Sequence, residues 1–185
     1  AGLTAADLAL ELNSRGHPGR IHALSRRGLH PIAHVAAVNY PNFWRGETLP
    51  KTVLATLRRI RAEVRRAQAS GDDWRAVLGS IRGDTPLVWK GWAWDERARF
   101  MRHLRPFWEV HRHRLAPAVA QQLRSLETTG RLRYHAGRLI SLRAVTDHAE
   151  AVFRPRGTTT TVTLRVAKVI NCTGPRTDYS KFQHP

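Results

Sequence analysis

The stretch Ala1-Gly2-Leu3-Thr4-Ala5 has the residue types and spacing of the tail of a G-x-G-x-x-A dinucleotide turn, whose first glycine would precede Ala1 by one residue. A bare glycine lets the backbone approach a pyrophosphate. A small third residue lets the helix pack closely on a strand, and the free N–H groups at the helix start face the anion. Gly2 alone could cap any helix; the helix and strand that follow give the pattern its meaning. About twenty residues on, such turns usually place Asp or Glu on the ribose hydroxyls. This sequence has Ser25-Arg26-Arg27 there. Guanidinium groups form charge-assisted, often bidentate bonds with a phosphate that a carboxylate would repel. The local sequence therefore favours a 2′-phosphorylated dinucleotide, NADP(H), over NAD(H). The plainer alternative is a turn that happens to hold two of the 27 arginines.

Three further groups have side chains capable of chemistry. Ile170-Asn171-Cys172-Thr173-Gly174-Pro175 reads as a buried strand opening into a small-residue turn that a ligand can approach, with proline stiffening the exit. Cys172, in that buried strand and without a sequence-near histidine, reads as an inert thiol. His111 and His113, with His103 upstream, lack further ligands at workable spacing, and Arg112 and Arg114 disfavour a dication. That run reads as a solvated basic loop, or second as an anion contact. No nucleophile elbow, P-loop or paired carboxylates stand out, so no catalytic residue and no metal ligand is assigned.

The elements that must position these residues fall into three stretches. In residues 1–40, Leu8, Ala9 and Leu12 form a helical stripe, Asn13, Gly16 and Pro18 stop it, and Arg20 to Leu24 reads as a strand. Residues 41–130 read as helical. Val53, Leu57, Ile60, Val64 and Ala67 make an amphipathic face, opened by Thr48 and Pro50 and closed near Gly71. Further helices are expected over Asp73 to Arg82, over Asp95 to Leu104 ahead of Pro106, and over Pro117 to Leu126. Trp74, Trp89, Trp92, Trp94 and Trp108 in this block read mostly as core anchors or interface rings, with stacking as the minority reading. Residues 131–185 read as β-rich, with strands at Leu132 to Tyr134, Leu139 to Val145, Ala149 to Arg154 and Thr160 to Ile170.

Composition bounds these readings. The chain has 185 residues, 42% of them hydrophobic, with six tryptophans, which excludes a disordered tail. No apolar run approaches the roughly 20 residues of a membrane span, and no export signal is visible. One cysteine excludes an internal disulfide framework and fits a reducing cytoplasm. Lys+Arg is 31 against 14 for Asp+Glu, a formal charge of +17 that attracts phosphates. The cations are scattered along the chain, so a compositional habit of solvated faces is an equal reading, and charge alone does not decide function.

Together, Ala1 to Leu12, the strand ending Ala23-Leu24-Ser25-Arg26-Arg27-Gly28-Leu29, the run from His103 through Pro106-Phe107-Trp108 to Arg114, and Ile170 to Pro175 with Asp178-Tyr179 resemble the uncharacterised bacterial FAD/NAD(P)-binding proteins. That family is similar to flavin-dependent N-hydroxylating monooxygenases, the ornithine and aspartate hydroxylases, and to a flavin-dependent urate hydroxylase. The resemblance implies a piece of a larger flavoprotein whose FAD-binding strand and glycine fingerprint lie outside this sequence. The piece alone is then expected to be inactive. It also implies that Gly2, Leu3, Thr4 and Ala5 face the pyridine-nucleotide pyrophosphate, that Ser25, Arg26 and Arg27 hold the 2′-phosphate, and that Thr173, Gly174 and Pro175 lie where the chain returns to the FAD domain. The expectation is an α/β fold: a truncated Rossmann-like nucleotide-binding module (1–40), a large helical insertion (41–130) and a β-rich return segment (131–185). Its expected activity is that of an NADPH-dependent flavoprotein oxidoreductase, monooxygenases included, with NADP and FAD as cofactors and a small-molecule substrate. The rival from another class is a basic nucleic-acid-binding module, in which arginines track a backbone and aromatic rings stack bases.

Overall fold

The computed structural model of the chain describes residues 2–36 and 39–174. Along the chain the elements are α1 (Leu3–Ser14), β1 (Ile21–Ser25), α2 (Val53–Ala69), α3 (Trp74–Ser80), α4 (Thr85–Gly91), α5 (Trp94–His103), α6 (Arg105–Arg112), α7 (Pro117–Thr128), β2 (Leu132–Ala144), β3 (Ala149–Pro155) and β4 (Val162–Val166). The protein is mixed α/β, and the four strands among the described residues form one sheet in the order β1-β2-β3-β4. The chain divides into two compact units, Ala1–His30 with Gln122–Pro185, and Pro31–Gln121. The helical unit thus begins at Pro31 rather than near residue 41, and ends at Gln121 rather than near 130. Its first and last segments are tied by a parallel bridge of Ala33 to Leu115, with the Leu115 N–H on Ile32 O at 2.9 Å.

In the first unit, β1 pairs β2 in parallel, from Ile21 opposite Leu132 to Ser25 opposite Ala136. Parallel neighbours need a long crossover, and here the whole helical unit supplies it. From Gly137 onward β2 changes partner and runs antiparallel to β3, and β3 then pairs antiparallel with β4. The two expected strands at Leu132 to Tyr134 and Leu139 to Val145 are therefore one, continuous through Gly137, with a register shift between Leu139 and Ser141. The long final strand is cut short. β4 ends at Val166, opposite Ala149 at the start of β3, so β3 offers no further partner to the residues that follow. Val169 and Ile170 are accordingly 49% and 52% exposed, not part of a buried strand. On α1, Ala6 and Ala9 are buried, leaving Leu8 and Leu12 half-buried.

In the second unit Trp44, Val53, Ile81, Val88 and Trp92 form the core, with Phe43, Ile60, Leu78 and Phe100 packed on it. α2 is capped by Thr52, whose hydroxyl accepts from Ala55 N–H at 3.2 Å, not opened by Thr48 and Pro50. Its fully buried positions are Val53, Thr56, Glu63 and Ala67. The two polar ones are satisfied: Thr56 donates to Thr52 O, and Glu63 accepts from the Tyr40 hydroxyl at 2.7 Å and pairs with Arg66.

α4 and α6 were not expected from the sequence. Pro86 and Pro106 sit in their first turns, where a missing N–H costs nothing, so each proline starts a helix, and Pro106 also stops the one before it. Of the five tryptophans expected as core anchors or interface rings, Trp92 alone is fully buried, while Trp89 and Trp94 are 37% and 81% exposed. Among the described residues no helix is long and apolar enough to cross a membrane.

Candidate functional site: an arginine cleft where β2 changes partner

The last pair of the parallel ladder is Ser25 and Ala136. Beyond it β1 turns sharply. The Ser25 hydroxyl accepts from Gly28 N–H at 3.1 Å, and Gly28 has φ +67°, a left-handed conformation that favours glycine. A Cβ at Gly28 would also lie 2.8 Å from the Cβ of Ala136, so the turn is pressed onto β2. On the far side, a Cβ at Gly137 would lie 2.7 Å from Arg154 O and 2.7 Å from a Phe153 ring carbon. Two bare positions let three stretches of backbone converge. The Arg156 N–H closes the corner by donating to Ala136 O at 2.8 Å.

At this corner lies a cleft of about 320 Å3, lined by Arg26, Gly137, Arg138, Arg154, Pro155, Arg156, Gly157 and Thr158. Its four arginines are exposed, and among the described residues no carboxylate joins them in the lining. Arg138 and Arg154 are direct cross-strand partners, so two like charges leave the same face of the sheet, a mutual cost on the order of 0.5 kcal/mol. Among the described residues no ion pair engages any of the four. The contrast within one sheet is Glu150, clasped by Arg143 at 2.8 Å and Arg165 at 3.3 Å, which hold its carboxyl below the usual range. Four guanidinium groups facing one concavity without a counter-charge suit a multiply charged anion.

Of the residues singled out from sequence, Arg26 alone lines this cleft. Gly2 caps α1 in an extended conformation, and Leu3, Thr4 and Ala5 form its first turn. Ser25 spends its hydroxyl on the turn at Gly28. Arg27 is half-buried and engaged elsewhere. The Thr173 N–H and hydroxyl both donate to Asn171 Oδ1, at 3.0 and 2.7 Å, forming an exposed local turn, and Gly174 follows at φ +82°. Pro175, Asp178 and Tyr179 lie outside the described residues. Cys172 is half-buried in an irregular segment rather than deep in a strand.

Sequence reading missed Arg138, Arg154 and Arg156. Each is one arginine among many, and only the β2–β3 register aligns them. The usable signal was Arg154-Pro155-Arg156-Gly157, a turn whose charges flank a proline.

The His111 to Arg114 run is not a solvated loop. His111 and Arg112 close α6, and the Arg114 guanidinium lies half-buried 5.4 Å from the Trp74 ring centroid. Its donors go to His111 O at 2.8 Å and Arg75 O at 3.3 Å. That cation–π and carbonyl arrangement is structural.

On the parallel part of the sheet, His22 Nδ1 and His135 Nε2 are 2.9 Å apart. One ring must donate and the other accept, which a doubly protonated pair cannot do. Burial, aided by Arg20 and Arg133, lowers the His22 pKa below 6.5. Burial, then His22 and Arg133, lowers that of His135. Between the folded and unfolded pKa values the unfolded chain binds more protons. Stability should therefore be fully present above about pH 6.5 and fall as pH drops through the folded values. Urea midpoints measured from pH 7.5 down to 5 check this; the dependence should flatten in His135→Gln, and a wild-type midpoint that rises on acidification would contradict it.

The chain matches no protein-family model, no curated protein and no solved structure.

Proposed function

We propose that the chain is the NADPH-binding part of an FAD-dependent oxidoreductase, monooxygenases included, built on a Rossmann-like α1–β1–β2 unit. The observation that carries this reading is Arg26, chosen from sequence for a 2′-phosphate, in a cleft whose described lining holds four arginines, at the carboxyl end of a strand in a parallel pair. Ligands of open α/β sheets bind outside the carboxyl ends of strands. Element lengths are compatible with it: a helix of 12 residues and a strand of 5 each span roughly 17 Å. In this reading Gly2, Leu3, Thr4 and Ala5 approach the pyrophosphate through the open N–H groups of α1, and Arg26 pairs with the 2′-phosphate.

When bound, the nicotinamide and flavin supply the hydride chemistry themselves. This chain's residues bind and orient one end of the donor, and no acid or base among them is needed for hydride transfer. FAD, in this reading, is held by residues outside the sequence.

The test is equilibrium titration of the chain with NADPH and with NADH. NADPH should bind more tightly. Arg26→Ala should weaken NADPH about tenfold, the loss of one charge-assisted contact, and leave NADH unchanged. Equal affinity for the two dinucleotides would overturn the reading. A nucleic-acid-binding module would instead hold single-stranded DNA with an affinity that collapses between 50 and 200 mM salt, on the order of a thousandfold, and would ignore the 2′-phosphate.

A further inference from the structure

We propose that Arg138, Arg154 and Arg156, together with Arg26, form a clamp for a phosphomonoester dianion, and that the bound group bridges β2 to β3. For the molecule that carries the phosphate the proposal rests on the preceding reading; the clamp itself does not.

Arg138 opposite Arg154 is a charge arrangement that sheets avoid, and the lining contributes two more arginines and, among the described residues, no acid. A phosphodiester brings a single negative charge and two free oxygens. A terminal phosphate brings about −1.5 to −2 charges and three strong acceptor oxygens near neutral pH. Only the latter approaches the charge of the four guanidinium groups and offers enough acceptors for several bidentate forks.

The other lining groups do not compete for that role. The Thr158 hydroxyl is 3.0 Å from Pro155 O, its own turn's acceptor, which leaves recognition to the arginines. The cleft, at about 320 Å3, is at the small end of ligand sites. It has room for a phosphate and an attached sugar, not for a whole dinucleotide. A phosphate here would touch both strands of the hairpin and cancel the repulsion between them, so binding and hairpin stability are coupled through one group.

The test uses the full chain and three probes, adenosine 2′-monophosphate, inorganic phosphate and NADH, read by calorimetric titration and by the thermal midpoint. The 2′-monophosphate should bind and raise the midpoint, inorganic phosphate should do so more weakly, and NADH, whose diphosphate is esterified at both ends and has no terminal phosphate, should do neither through this cleft. Arg138→Glu places a carboxylate opposite Arg154. It should raise the midpoint of the ligand-free chain and weaken the 2′-monophosphate at least tenfold. Arg61→Ala, which removes an exposed charge from α2, should leave that affinity within twofold.

If Arg138→Glu binds the 2′-monophosphate as tightly as the parent, or if Arg61→Ala weakens it equally, the clamp is overturned. If both phosphate probes depend on Arg138 while NADPH and NADH bind alike, the clamp stands and the cofactor reading fails. If NADPH preference is lost in Arg26→Ala yet unaffected by Arg138→Glu, the cofactor reading stands and the clamp fails.

Discussion

Glu96→Ala is expected to destabilise the protein by about 3 kcal/mol, because it strands a buried donor as well as removing a charge. Glu96 is 6% exposed and lies in the first turn of α5. One carboxylate oxygen accepts from the backbone N–H of Val53, the first residue of α2, at 2.6 Å, and the other pairs with Arg99. A single negative charge therefore serves the positive ends of two helices. Val53 is itself buried, so its N–H cannot turn to water when the acceptor is gone. Glu96→Gln keeps an acceptor without the charge and should cost about half as much. Urea unfolding followed by tryptophan fluorescence measures both; a loss under about 1 kcal/mol for the alanine variant would show that water or another group replaces the carboxylate.

The second large effect is at Gly137. A Cβ there would meet the carbonyl oxygen of Arg154 and the Phe153 ring, each at 2.7 Å. The oxygen belongs to the backbone of β3 and the ring is buried, so neither can yield without parting the hairpin. Gly137→Ala is expected to cost about 2 kcal/mol, and Gly137→Val about 3 kcal/mol or more. Because Arg154 and Arg156 move with β3, both variants should also lose affinity for adenosine 2′-monophosphate. The same unfolding and titration measurements check this. An alanine variant of parental stability and affinity would mean that β2 and β3 are not so closely apposed.

Pro106 has two roles that a linear pattern does not separate. Pro106 does end the helix of Asp95 to Leu104, but it also opens α6, so a segment read as a loop is helical. A proline constrains the residue before it and suits the first turn after it, and a linear pattern shows only the interruption. α2 shows a second kind of limit. Its stripe of Val53, Ile60 and Ala67 marks the right face, yet Glu63 lies fully buried on that face because Tyr40 and Arg66 satisfy it. Periodicity counts apolar residues and has no knowledge of a partner more than twenty positions away.

What the sequence determined alone are the features set by local rules: the positions of α1, β1, α2, α5 and α7, the β-rich character after Arg131, and Arg26 and Arg27 at the end of a strand. What the tertiary structure decided is the company Arg26 keeps. Arg138, Arg154 and Arg156 are separated from it by more than a hundred residues, and only the switch of β2 from a parallel to an antiparallel partner brings them to one corner. The physical reason is that register is a property of two strands at once. It is set here by glycines that admit close backbone approach, and neither strand carries that information by itself.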